Sequence, residues 1–138
     1  MGFLDLLFGK NPKKREQKGD AYMENASYGM AKLEYEKALD ELDPAVPSHH
    51  AAAKRLDEKL AQSKNGLASE HKDSAEGLME QGYNQDARDL LLLALELVQD
   101  ADLKQSIETG LMKIGHKPGQ PVQSVTAALP IRLLIRCR

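Results

Sequence analysis

Apolar residues return every three or four positions along most of this chain, from about residue 13 to residue 114, and the breaks between runs are short and polar. The pattern predicts helices at 13–25, 28–42, 48–81, 85–98 and 101–114. Ser27, Ser48, Asn84 and Asp100 stand where N-cap side chains accept backbone N–H groups that have no partner inside the helix. Asp86 and Asp102 fall in first turns, where the helix dipole favours negative charge. Pro44 and Pro47 are expected to end the second helix, because proline lacks the N–H that a helix interior needs. Gly82 and Gly115 are the expected C-terminal stops.

The third helix carries a longer pattern. Leu56, Leu67 and Leu78 fall 11 residues apart, as do Leu60 and His71. Eleven residues make three turns, so one face would run unbroken for about 50 Å. Asn65-Gly66 interrupts it with a turn signal made of two poor helix formers. A continuous helix is the preferred reading, with a break at that dipeptide as the alternative.

Three segments follow from these patterns: an apolar and basic N-terminal stretch (1–12), a helical domain (13–115), and a linker with a basic apolar tail (116–138). The tail, "VTAALPIRLLIRCR", reads as a short strand, a docking segment, a disordered end or the stub of a further domain.

Composition agrees with helices. Among 138 residues there is no Trp, with two Phe and four Tyr, and Ala, Leu and Met supply the apolar content. That length suits about one domain with a core that needs no disulfide. Cys137 is the only cysteine, so no internal disulfide forms, and it stands second from the end where a prenylation box would need it fourth. The net charge of −2 divides into +3 over residues 1–15, +4 over 116–138 and −9 between them. An acidic middle argues against nucleic-acid binding by the folded part. No apolar run approaches the roughly 20 residues of a spanning helix, and the start lacks a signal peptide's basic region and cleavage site. The expectation is an intracellular, cytoplasmic protein, at most peripheral to a membrane.

Candidate chemistry is thin. His49 and His50 are adjacent and diverge by about 100° on a helix, and His71 and His116 have no partner at ligand spacing. No carboxylate pair, phosphate loop or nucleophile set stands out. The expectation is a non-enzymatic protein with no metal and no cofactor.

Self-comparison at an offset of 56 residues shows an internal repeat. Gly19, Tyr22, Ala31, Tyr35 and Ala38 recur as Ala75, Leu78, Ala87, Leu91 and Ala94. Small residues let neighbouring helices approach, and large ones fill the grooves beside them. The segment "KGDAYMENASYGMAKLEYEKALDELDP" resembles a tetratricopeptide repeat, with Gly19 and Tyr22 on the first helix, Ala31, Tyr35 and Ala38 on the second, and Asp43-Pro44 closing it. It departs from the family at Arg15, where a Trp is usual, and by one extra residue before the proline. The second unit, "SAEGLMEQGYNQDARDLLLLALEL", has Ala75 for the glycine and no closing proline, and the copies lie 56 rather than about 34 residues apart. The resemblance implies an all-α fold of antiparallel helix hairpins in a right-handed superhelical stack, here with a long third helix. Leu103, Ile107, Leu111 and Ile114 would make the last helix a cap.

The resemblance also implies a concave groove lined by the first helix of each pair. That geometry selects Asp20, Met23 and Glu24 in one unit and Glu76, Met79 and Glu80 in the other, with Glu16 and Lys72 one turn earlier. The expected partner is another protein, presenting a basic amphipathic segment to methionines flanked by carboxylates. The family's clamp for a C-terminal carboxylate would need Lys and Asn where Glu16 and Asp20 stand. The plain alternative is that the methionines are core and the acids a solvated face. Separately, Phe3, Leu4, Leu7 and Phe8 share a helical face ahead of Lys10, Lys13, Lys14 and Arg15, a pattern suited to weak peripheral membrane contact. The rival reading of the whole chain is a membrane-peripheral or self-associating structural accessory protein, a homo-oligomer.

Overall fold

The first described helix begins where Asn11 meets Pro12. Proline loses no hydrogen bond at a first helical position, and the Asn11 side chain accepts from the Lys14 N–H at 3.0 Å. From there a computed structural model describes residues 11–115. Among them the chain is all-α, with helices α1 (Pro12–Glu24), α2 (Tyr28–Asp40), α3 (Pro47–Glu80), α4 (Asn84–Leu97) and α5 (Ala101–Lys113). The predicted N-terminal membrane face, Phe3, Leu4, Leu7 and Phe8, and the tail from residue 116 lie outside the described residues.

All five predicted helices are present, and their ends differ in instructive ways. Asp100 caps α5 as expected, accepting from the Leu103 N–H at 2.8 Å. Ser27 occupies the cap position of α2, but its side chain makes no cap bond. Ser48 and Asn84 are not caps. Pro47 takes the first position of α3, which puts Val46 in the cap role and Ser48 inside the first turn. Pro47 therefore opens the third helix instead of closing the second, which has already stopped at Asp40. Tyr83 takes the cap position ahead of Asn84.

The α3 helix runs unbroken through Asn65-Gly66. Glycine in a helix interior costs about 1 kcal/mol relative to alanine, so the dipeptide needs a compensating gain. Two tertiary contacts supply it. The Asn65 side-chain oxygen accepts from the backbone N–H groups of Gln99 and Asp100, at 2.7 and 3.0 Å, and so ties the α4–α5 turn to the middle of α3. Gly66 lies against the Tyr28 ring, where a β-carbon would overlap the ring atoms.

The α3 helix is the spine. Its first half packs on α2, its second half on α4, and α5 packs on α4 and touches α3. Two apolar clusters result. In the first, Ala31, Tyr35 and Ala38 of α2 meet Leu56 of α3, with Tyr22 and Met23 of α1 at the margin. In the second, Ala68 and Ala75 of α3 meet Ala87, Leu91 and Ala94 of α4, with Ile107 and Leu111 of α5. Between them along α3 lies Ser63, fully buried, its hydroxyl donating to the Leu60 carbonyl at 2.7 Å.

The two hairpin turns match bond for bond at the 56-residue offset. After α1, the Ser27 N–H donates to the Tyr22 carbonyl at 2.8 Å and the Ala26 N–H to Met23 at 3.0 Å. After α3, the Tyr83 N–H donates to Leu78 at 2.8 Å and the Gly82 N–H to Met79 at 3.0 Å. Both are Schellman turns, which need a left-handed residue just past the helix. Gly82 supplies it with φ +87°, and Ala26 is forced into the same region at φ +57°. Burial repeats as well: Gly19 and Ala75, Ala31 and Ala87, Tyr35 and Leu91, and Ala38 and Ala94 are all buried.

Candidate functional site

Of the eight residues selected from the sequence, Glu16 and Asp20 lie together on α1, one turn apart and facing α3. Glu16 is buried. Its carboxylate takes a two-pronged bond from Arg55, Nε to Oε2 at 2.7 Å and Nη2 to Oε1 at 2.9 Å. Lys59 Nζ lies 2.7 Å from the same Oε2 and 2.9 Å from Asp20 Oδ2. The hydrogen bonds from Arg55 outweigh the opposing effect of burial and, with those from Lys59, hold the Glu16 carboxyl down to about 2, from an ordinary 4.5. The Tyr35 hydroxyl donates to Asp20 at 2.7 Å. Burial first, and then that bond to a carboxylate, push the phenol well above its ordinary range. On the other flank of α1, Arg15 bonds Glu41 at 2.9 Å and Glu34 at 3.3 Å.

At neutral pH this network keeps Glu16 ionised and Tyr35 protonated. Its charges are mutually satisfied, and their chemistry is to fix α1 against α2 and α3. Arg55 and Lys59 escaped the sequence reading. The signal that could have found them is spacing: Glu16 and Asp20 are four residues apart, and so are Arg55 and Lys59, which gives matching rows on two helices.

The other six residues lie elsewhere. Met23 borders the first apolar cluster and Met79 the second, each half-buried. Glu24 and Glu80 are exposed and end their helices. Lys72 and Glu76 pair with each other along α3 at 2.6 Å. The structure thus joins Glu16 with Asp20 through Lys59, and Lys72 with Glu76, while the two methionines sit in separate clusters. Among the described residues no group of His, Cys, Asp or Glu is arranged to hold a metal, and no helix is long and apolar enough to cross a membrane.

Charge divides sharply at Gly66. Residues 11–66 carry ten acids and ten Lys or Arg, whereas residues 67–115 carry ten acids against Lys72, Arg88, Lys104 and Lys113, a net of −6. Every ion pair among the described residues except Lys72–Glu76 lies in the first half. The second half therefore presents its acids to solvent. Asp86, Asp89 and Glu96 are exposed along α4 together with Leu93.

No family model matches this chain, and neither the curated proteins nor the solved structures contain a match to it.

Proposed function

We propose that the chain is a non-enzymatic interaction module, built of tetratricopeptide-like hairpins in a right-handed stack, that binds a segment of another protein. The observation that carries this reading is the repetition of one Schellman turn, with the same small and large buried residues, at a 56-residue offset. Units of this kind bury their apolar faces only by stacking, and stacking leaves long open surfaces.

The proposed binding face follows α1 and the second half of α3. Met23 and Met79 supply adaptable apolar surface, and Glu24, Glu76 and Glu80 supply exposed carboxylates for a basic amphipathic partner. Glu16 and Asp20 act by holding α1 in place, because their charge is already matched by Arg55 and Lys59. Lys72 acts by orienting Glu76.

Affinity capture and mass spectrometry with the wild-type chain and with Met23→Glu/Met79→Glu tests this. The expected outcome is loss of the captured partner by a double variant that keeps its helical circular dichroism. Undiminished capture by the folded variant removes the proposal. Met30 and Leu33, both 45% exposed on α2, support a second reading, self-association through that helix. Sedimentation velocity over a hundredfold range of concentration separates the two.

A further inference from the structure

Among the described residues, nothing packs on the outer side of α4. Tyr83, Asp86, Asp89, Leu93 and Glu96 follow one another at steps of three or four residues, so they form one strip about 20 Å long. All are exposed, Tyr83 at 55% and Leu93 at 48%. None of the three acids has an ion-pair partner among the described residues, and Asp89 accepts only a bond from Gln85 at 3.2 Å. The corresponding strip on α2, 56 residues earlier, is Met30, Leu33, Lys37 and Asp40. It has the same geometry but one acid, Asp40, offset by Lys37, so no net charge, and its lysine already faces Glu34.

The occupant that fits the α4 strip is in the chain itself. Residues 116–138 carry four Lys or Arg and no acid, and three of those cations, Arg132, Arg136 and Arg138, lie among Ile131, Leu133, Leu134 and Ile135. Apolar and cationic groups there answer apolar and anionic groups on α4. Reach is sufficient. The turn from α4 to α5 is short, Gly110 lies against Leu91, and Leu111 shares a cluster with Ala87, so α5 ends beside the start of α4. From Gly115, the 15 residues 116–130 can span up to about 50 Å, more than twice the strip.

We infer that the basic segment 131–138 docks in cis on the Tyr83–Glu96 strip of α4. Exposed ion pairs are individually weak. A tether of this length sets an effective concentration of order millimolar, which lets a weak contact be substantially occupied. The same exposure makes the docking sensitive to salt, because the Debye length shrinks from about 10 Å at 0.1 M to about 3 Å at 1 M. The strip is distinct from the face proposed for a partner, so either assignment stands if the other fails.

Cys137 is the only cysteine and lies inside the segment, so a nitroxide attached to it reports where the segment sits in the full-length chain. In a ¹⁵N-labelled sample at low salt, amides of residues 83–97 are expected to lose at least threefold more intensity than amides of the α2 strip. The loss is expected to disappear at 1 M NaCl and in the Arg132→Glu/Arg136→Glu variant. A mixture of spin-labelled unenriched chain and unlabelled ¹⁵N chain is expected to show no such loss. Absence of selective loss on α4, equal loss on α2, or persistence at 1 M NaCl overturns the inference. Loss in the mixed sample also overturns it, since the occupant would then be a second copy.

Discussion

The two halves of this molecule share one turn and one small–large packing pattern, yet they hold their helices by different forces. Around the first half of α3, charge does much of the work: Glu16, buried, is gripped by Arg55 and Lys59, and Asp20 is held by Lys59 and Tyr35. Around the second half, the equivalent positions are apolar or, as in Lys72 with Glu76, pair along one helix instead of between two. Leu90 stands where Glu34 is, Leu91 where Tyr35 is, and Lys72 where Glu16 is. The comparison shows that the same turn and the same small–large spacing can be filled by different forces. Directional ion pairs fix which residues of α1 face which residues of α3. Apolar contacts are less selective, and they leave the acids of the second half free for the surface.

The largest expected effect falls on the apolar half. Leu91 is fully buried and touches both α3 and α5 through the second cluster, so Leu91→Ala should destabilise by about 2–5 kcal/mol. Urea unfolding followed by circular dichroism measures this, and hydrogen exchange should place the loss in α4 and α5 first. A cost below 1 kcal/mol would mean that this half is not held by its apolar core.

Next comes the network. Glu16→Gln leaves Arg55 without an anionic partner while Lys59 keeps Asp20, and Arg55 is already 52% exposed and rehydrates easily. The expected cost is therefore that of lost charge-assisted hydrogen bonds, about 1–3 kcal/mol, and not the larger penalty of a fully buried orphan charge. It should loosen α1 while leaving α4 protected.

The smallest effects test the shared turn. Ala26 occupies a left-handed conformation that costs a non-glycine residue about 1–2 kcal/mol, so Ala26→Gly should stabilise by about 1 kcal/mol. Gly82→Ala should destabilise by a similar amount, since nothing crowds that position and only the backbone objects. Thermal melts of the two variants should shift in opposite directions. If both shift the same way, the turns are not equivalent.

How much of this was legible in the sequence follows from the range of each interaction. Helix positions come from apolar periodicity, which is local, and all five were placed to within a few residues. The matching burial at the 56-residue offset was legible because Ala31 with Ala87 and Tyr35 with Leu91 keep their register in the chain. Cap assignments failed at Ser48 and Asn84, because Pro47 and the Schellman turn through Gly82 set those starts instead. Asn65-Gly66 read as a weakness because its two supports, the α4–α5 turn and Tyr28, are distant in sequence. For the same reason Glu16 and Asp20 read as open groove carboxylates: their cations lie 39 residues away on α3.

Acid separates the two halves most directly. The Glu16 carboxyl is lowered in the fold, from 4.5 to about 2, so its stabilising contribution is complete above 4.5 and is lost as pH falls toward 2. Native-state hydrogen exchange, corrected for intrinsic rates, should be recorded on the wild type and on Glu16→Gln at pH 5 and pH 2.5. The structure predicts that wild-type α1 loses protection between those values while α4 and α5 change little, and that Glu16→Gln begins with low α1 protection and loses less of it. Equal loss in α1 and α4, or the same acid response in Glu16→Gln as in the wild type, would contradict a charge-held first half beside an apolar-held second half.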